Sequence, residues 1–142
     1  LVSREGAITW LCLPRFDSSI CFTALLGTPD HGRWLLGPAE EATTTRAYRE
    51  DSFILETIHE TATGKVKVTD LMPVSDGRAD VLRRVEGLEG TVTMEQEWVV
   101  RLNYGKVKPW VSQSVSINCC ISMRVSASSA PSGSSSSNNP GR

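Results

Sequence analysis

The feature that most constrains how this chain can fold is the alternation of side chains between two faces of an extended backbone over positions 52–69. An extended backbone places two sets of side chains on opposite sides, with Phe53, Leu55, Thr57 and His59 on one side and Ile54, Glu56, Ile58 and Glu60 on the other. Residues 61–64 then provide a turn, and valines alternate with lysines from Lys65 to Thr69. A period of two is typical of a strand with one buried and one solvated face, so this stretch predicts an antiparallel hairpin.

The rest of the chain repeats this layout of short β-rich runs separated by turn residues. Further strands are predicted over residues 7–13, 33–36, 43–49, 81–85 and 91–104, with residues 1–3 as the hairpin partner of the first. In the long strand 91–104, Trp98, Val100 and Leu102 share one face with Val92, Met94 and Tyr104, which indicates a core-facing side. The predicted fold is an all-β, antiparallel two-sheet super-sandwich that is incomplete.

One short helix is expected between the first two strand regions. Asp17 or Ser18 can cap a turn running from Ile20 to Leu26, and Gly27 followed by Pro29 would end it.

Beyond Trp110 the sequence changes character and becomes rich in serine. We divide the chain into a partial sandwich domain over residues 1–111, an uncertain segment 112–125 that keeps enough alternation for one ragged strand, and a disordered tail over 126–142. Because the predicted hairpin partner of the first strand begins at Leu1 without a methionine, the domain is expected to be truncated at its N-terminus. A frameshifted gene would account for the switch to serine-rich sequence.

Charge and cysteine content narrow the class of protein. Fifteen basic and sixteen acidic residues leave a net charge of −1, which argues against a nucleic-acid or anionic-membrane partner. The apolar runs are too short to span a bilayer. Cys12, Cys21, Cys119 and Cys120 form no metal-ligand pattern, so we expect buried free thiols, a cytoplasmic location, and no metal or other cofactor.

Several motifs, taken in order, resemble the opening of bacterial glycoside hydrolase family 15 proteins. The first run extends from Leu1 through Trp10-Leu11-Cys12-Leu13-Pro14-Arg15-Phe16-Asp17-Ser18. Later matches are His31-Gly32-Arg33-Trp34, Thr45-Arg46-Ala47-Tyr48, Leu55-Glu56-Thr57, Val68-Thr69-Asp70-Leu71-Met72-Pro73 and Arg101-Leu102-Asn103-Tyr104-Gly105. Together they span about 110 residues, which is what makes the resemblance specific.

This resemblance implies an N-terminal sandwich that packs on a catalytic (α/α)6 barrel in the complete enzyme. The family hydrolyses α-glucosidic bonds with inversion, using an acid and a base that both belong to barrel loops, and no segment here resembles those loops. The expected role is a non-catalytic accessory domain whose partner is the barrel, with α-glucosaccharide as a further candidate partner. Trehalose, maltooligosaccharide and dextran remain open as the parent's substrate. Glu56, Glu60 and Asp70 are expected to be solvated strand residues, and the chain alone is expected to be inactive.

Four residues are candidates for contact with substrate or barrel: Arg15, Asp17, Trp34 and Trp110. Arg15 and Asp17 follow a proline at a strand end, where polar groups can point at a partner, although an internal ion pair with Asp17 capping a helix is the alternative. Trp34 and Trp110 could stack on sugar rings, whereas Trp98 is expected in the core. His31 and His59 stand apart, so neither is expected to act as a base or metal ligand.

Two other functional hypotheses remain open. A free-standing carbohydrate-binding module would need exposed, coplanar tryptophans. A truncated or frameshifted product without function would follow from the missing strands, which leave sheet edges unpaired.

Overall fold

The structure, a computed structural model, describes residues 1–74, 79–104, 107–108 and 120–124, the last as backbone. The strands are β1 (Ala7–Ile8), β2 (Leu11–Cys12), β3 (Ile20–Phe22), β4 (Arg33–Pro38), β5 (Thr43–Tyr48), β6 (Leu55–Glu60), β7 (Gly64–Leu71), β8 (Asp80–Gly90), β9 (Met94–Val99) and β10 (Cys120–Arg124). The helical segments within the described ranges are two 3₁₀ turns, Ala24–Leu26 and Pro29–His31.

The strands form two principal sheets and one small sheet. One principal sheet has the order β1-β4-β9, the other has the order β10-β8-β7-β6-β5, and β2 pairs with β3. Each of these pairings is antiparallel. The predicted all-β, antiparallel fold is therefore confirmed, with the β2–β3 sheet as an addition to the two expected sheets.

The hairpin of residues 52–69 is β6 and β7. Thr57 and His59 on β6 and Val66 and Val68 on β7 are buried, as the alternation predicts. Phe53 departs from the pattern, because it lies in the turn before β6 and is 95% exposed.

The helical turn predicted from Ile20 to Leu26 is wrong for its first half and present only in its second half. Its first three residues form β3, and all three are buried. A surface helix would bury one side of such a run, whereas a strand placed against β2 and the core buries both sides. Only Ala24–Leu26 is helical, and Thr23 rather than Asp17 precedes it.

The first predicted strand, residues 7–13, is divided between two sheets. Ala7 and Ile8 pair with β4, whereas Leu11 and Cys12 pair with β3. Its predicted partner is present, since Val2 forms a bridge with Ile8 and the Ser3 N–H donates a 2.7 Å hydrogen bond to the Ala7 carbonyl.

Two other strand lengths differ from the prediction. β8 extends to Gly90 and so is longer than residues 81–85, while β9 covers only Met94–Val99 of residues 91–104. Asn103 and Tyr104 have φ values of 52° and 57°, which belong to a turn rather than to a strand.

The core lies between the two principal sheets and beneath the β2–β3 hairpin. Its main cluster consists of Ile8, Leu13, Cys21, Phe22, Trp34, Val81 and Val100. Residues from β1, β3, β4 and β8 thus meet in one core, which joins the three sheets into a sandwich.

β10 lies inside the segment 112–125, and it pairs with β8 from Cys120 opposite Arg84 to Arg124 opposite Asp80. The tail over 126–142, for which disorder is predicted, lies outside the described residues.

Candidate functional site

The loop between β2 and β3 carries the predicted contact residues Arg15 and Asp17. Their side chains form a two-pronged ion pair, with Nε to Oδ1 and Nη2 to Oδ2 distances of 3.0 Å each. The Arg15 N–H donates to the Ser18 hydroxyl at 3.1 Å, and the Ser18 N–H donates to the Arg15 carbonyl at 3.1 Å. The expected internal pair is therefore present, whereas the expected helix cap by Asp17 is not.

This loop projects into solvent. The side chains of Arg15 and Asp17 are 78% and 67% exposed, and Phe16 between them is also exposed. An ion pair at this exposure contributes little to stability. Arg15, Phe16 and Asp17 are all accessible to a partner, and Arg15 and Asp17 remain predicted contact residues.

Trp34 lies in the core and cannot present a face to a sugar. It is 1% exposed, and its ring stacks on Trp98 with a centroid distance of 5.8 Å and an interplanar angle of 29°. Stacking on a sugar requires an open ring face, so this burial contradicts Trp34 as a contact residue. Trp98 packs against the core as expected, and Trp110 lies outside the described residues.

A buried arginine, which sequence reasoning missed, joins the two principal sheets. Arg83 on β8 donates from Nε to Asp70 Oδ1 at 2.7 Å and from Nη2 to Asp70 Oδ2 at 3.2 Å. It also donates to the carbonyls of Trp34 at 2.9 Å and Gly6 at 2.8 Å, across the sandwich. Its guanidinium carbon lies 5.2 Å from the centroid of the Trp34 ring, within range of a cation–π interaction.

The expectation that Asp70 is solvated is therefore wrong. Asp70 is 6% exposed, and the alternation of its strand already contained the signal. On β7, Val66 and Val68 point inward, and Asp70 lies on the same side of the strand. On β8, Val81 and Arg83 both point inward. Charged residues at inward positions on paired strands indicate a buried ion pair.

His59 lies in the same interior. Thr44 Oγ1 is 3.0 Å from its Nδ1, and its Nε2 has no hydrogen-bond partner among the described residues. Burial lowers the pKa of His59, and the Arg83 charge lowers that pKa further, while Asp70 acts in the opposite direction. The neutral imidazole is the form that suits this position.

The carboxyl groups of Glu5 and Glu40 border an open surface cleft. The cleft has a volume of about 500 Å³ and is bordered by Arg4, Glu5, Glu40 and His59. Hydrogen bonds from its own backbone and from Ser3 lower the pKa of Glu5. Glu40 accepts a 2.7 Å hydrogen bond from Thr63 Oγ1. A general acid for glycoside hydrolysis requires a raised pKa, so Glu5 does not fit that role.

Residues 1–74, 79–104, 107–108 and 120–124 contain no helix long and apolar enough to cross a membrane. Within the same ranges, no group of three or more His, Cys, Asp or Glu residues is arranged to hold a metal ion.

Comparison with known proteins connects the chain to trehalases. A family model described as "Trehalase-like, N-terminal" matches residues 1–133 of the 142. Trehalase 1 of Sulfolobus acidocaldarius is 30% identical over 106 residues, covering 74% of this chain and 18% of that protein. A trehalase of Thermoplasma volcanium is 29% identical over 121 residues, covering 80% of this chain and 19% of that protein.

A bacterial relative matches a shorter stretch more closely. The trehalase of Mycolicibacterium smegmatis is 40% identical over 73 residues, covering 51% of this chain and 11% of that protein. The chain thus spans less than a fifth of the length of these curated relatives. No solved structure matches it with statistical support. Because the family model covers most of the sequence, the chain belongs to the trehalase-like N-terminal domain family.

Proposed function

We propose that this chain is a non-catalytic accessory domain that packs against the catalytic domain of a trehalose-hydrolysing enzyme. The observation that supports the proposal is that the buried charged side chains of this domain bond to other groups within the domain. Arg83 donates to Asp70 on the neighbouring strand and to the backbone carbonyls of Trp34 and Gly6 across the sandwich, and thereby holds two sheets together. Such an arrangement serves a rigid scaffold, whereas a hydrolase needs carboxyl groups that reach a substrate.

The parent enzyme is proposed to be a glycoside hydrolase of family 15 with an (α/α)6 barrel and an inverting mechanism. The resemblance of the Leu1-to-Ser18 run and the later motifs to that family supports this proposal. Trehalose is the favoured substrate of the parent over maltooligosaccharide or dextran, because the relatives reported above are trehalases.

The exposed carboxylates of this domain support a non-catalytic role. The Arg49 guanidinium lowers the pKa of Glu56 through a hydrogen bond and its charge, and the pKa of Glu5 is also lowered. The lowered pKa values favour the ionised form of both groups, which does not suit a general acid that protonates a glycosidic oxygen.

A bacterial, cytoplasmic location is part of the same proposal. Cys12 and Cys21, which lie in the two strands of one hairpin, are free thiols, and a reducing compartment keeps thiols in this state. Burial raises the pKa of the Cys21 thiol, which keeps it protonated and unreactive inside the core.

The direct test is an assay of the purified 142-residue chain for glucose release from trehalose. We expect no release above the buffer background, with the Mycolicibacterium smegmatis trehalase as the positive control. Hydrolysis by the chain that disappears in a Glu5→Gln or Glu56→Gln variant would refute the non-catalytic role.

A further inference from the structure

One end of the sandwich is polar and tightly hydrogen-bonded. It contains the turn between β6 and β7 and the connection from β8 to β9. Thr63 Oγ1 lies 2.7 Å from both the Glu40 carboxylate and the Thr91 carbonyl, and Lys65 pairs with Glu60 at 3.0 Å. The two principal sheets are thus joined here by polar groups that face water.

The opposite end of the five-stranded sheet exposes apolar side chains. Tyr48 is the last residue of β5, Phe53 lies in the turn that follows it, and Met72 and Val74 follow the end of β7. Phe53 is 95% exposed and Val74 is fully exposed. The register places these residues together, because Tyr48 pairs with Leu55, and Leu55 with Asp70.

The three-stranded sheet and the β2–β3 hairpin add apolar side chains at the same end. The Cys21 carbonyl accepts a 3.1 Å hydrogen bond from the N–H of Arg101, just beyond β9, and the Leu25 N–H donates to Thr9, just beyond β1. Leu25 and Leu26 are exposed there, as is Phe16 in the hairpin loop. Leu13 of that loop packs in one cluster with Val81, near the start of β8, so the ends of both sheets meet.

We define the apolar end of the molecule by Phe16, Leu25, Leu26, Phe53, Met72 and Val74. Among the described residues, Leu88 is the one large apolar side chain that is exposed towards the polar end. It lies between Gly87, which pairs with Val66, and Glu89, which pairs with Lys65. A clustering of exposed aromatic, Met and aliphatic side chains on one surface marks an interface.

From this distribution we infer that the apolar end is the surface that docks onto the catalytic domain of the same polypeptide; the inference rests on the proposed function. Two observations favour the catalytic domain of the same polypeptide as the docked partner. β10 runs towards the apolar end, and its last residue, Arg124, pairs there with Asp80 at the start of β8. More than four fifths of the length of each relative lies outside the matched region and supplies a partner of sufficient size.

The test is a fusion in which the full 142-residue chain replaces the matched region of the Thermoplasma volcanium trehalase, a match of 121 residues that covers 80% of this chain. The triple variant carries Phe16→Ser, Phe53→Ser and Val74→Ser, and the matched control carries Leu88→Ser. In the isolated chain, all of these positions face solvent, so neither variant is expected to change the thermal unfolding temperature. In the fusion, the triple variant should lower that temperature by about 2 °C or more, and the Leu88 control should leave it unchanged.

The outcomes separate the docking surface from the proposed function. If the unsubstituted fusion unfolds in two independent transitions at the temperatures of its separate parts, the two domains do not pack and the proposed function fails. If the fusion unfolds as one unit and the triple variant behaves like the Leu88 control, the domains pack through another surface and the inference fails.

A second measurement does not depend on the stability of the fusion. Benzoylphenylalanine, a photo-crosslinking residue, is placed at position 53 or at position 88 of the 142-residue chain, which is then mixed with the separately expressed remainder of the same trehalase. We expect a crosslinked product from position 53 and none from position 88. Crosslinking from position 88 alone would overturn the inference.

Discussion

Position 83 holds an arginine on the inward side of β8, where neighbouring inward residues are valines. The guanidinium bonds to Asp70 and to the backbone carbonyls of Trp34 and Gly6 across the sandwich, so each of its three nitrogen atoms donates a hydrogen bond although its side chain is 0% exposed. A buried charge is tolerated only when it is paired in this way. Removing either partner leaves the other charged and unpaired.

We therefore predict that Asp70→Asn strongly destabilises the fold. The loss of the carboxylate should reduce the free energy of unfolding by about 3–5 kcal/mol, because Arg83 remains buried without its counter-ion. Asp17→Asn is the matched control, since it breaks an exposed pair and should cost at most about 1 kcal/mol. Urea denaturation followed by circular dichroism measures both. Equal costs for the two variants would contradict a structural role for the buried pair.

The buried His59 predicts a pH dependence of stability. Its pKa is lowered in the folded state, so between that value and the ordinary value of about 6.5 the unfolded chain binds a proton that the folded chain does not. The free energy of unfolding should fall as the pH drops through this window, and level off below the folded-state pKa.

The variant His59→Asn isolates this effect. An amide can still bond to Thr44 but does not titrate, so the variant should lose part of the slope between about pH 8 and pH 5.5, above the range where most carboxylates titrate. Urea denaturation at several pH values gives the slope for both proteins. Identical slopes would show that His59 does not carry the pH dependence.

At the scale of elements, the turn before β1 depends on Gly6, whose carbonyl also accepts a hydrogen bond from Arg83. Gly6 has a φ of 84°, and a Cβ atom there would overlap the carbonyl oxygen of Leu36 on β4. The close approach of the two backbones permits the Leu36 N–H to donate to the Gly6 carbonyl at 3.1 Å. Only glycine adopts this positive φ without strain and also leaves room for the backbone of Leu36.

We predict that Gly6→Ala lowers the free energy of unfolding by roughly 2 kcal/mol or more, through backbone strain and the clash with Leu36. Gly87→Ala on β8 is the control, because its φ is not positive and nothing lies within 4 Å of the added methyl group. That control should be neutral or slightly stabilising. Chemical denaturation of both variants provides the comparison, and a neutral Gly6→Ala would contradict this account of the turn.

For the whole molecule, the placement of the three tryptophans that the structure describes argues against a sugar-binding module. Trp34 is buried, Trp98 stacks on it, and Trp10 is only partly exposed. Titration of the full chain with trehalose and with maltooligosaccharides should therefore give no saturable change in tryptophan fluorescence. A saturable change that is lost in Trp10→Phe would favour the binding-module hypothesis instead.

The local pattern of the sequence predicted much of the secondary structure. Alternation over 52–69 predicted β6 and β7 because it reports directly which side of a strand is buried. It did not predict β3, since the run Ile20, Cys21 and Phe22 is apolar on both sides, and such a run does not distinguish a buried strand from a helix.

The candidate site was predicted only in part, because the local sequence pattern does not reveal hydrogen bonds between one sheet and the other. The spacing of Arg15 and Asp17 suggested their ion pair, which needs only neighbouring residues. The contact of Arg83 with Asp70, by contrast, required the register of β7 against β8, and its bonds to Trp34 and Gly6 required the second sheet.

The sequence alone therefore determined the fold class, the family resemblance and the main hairpin, all of which depend on short-range pattern and ordered motifs. The tertiary structure decided that Trp34 is buried, that Arg83, paired with Asp70, reaches the opposite sheet, and that exposed apolar side chains lie at the ends of β5 and β7. These properties depend on which strands pair and which sheets pack, because residues as far apart in sequence as Leu13 and Val81 share one core cluster only in the folded chain.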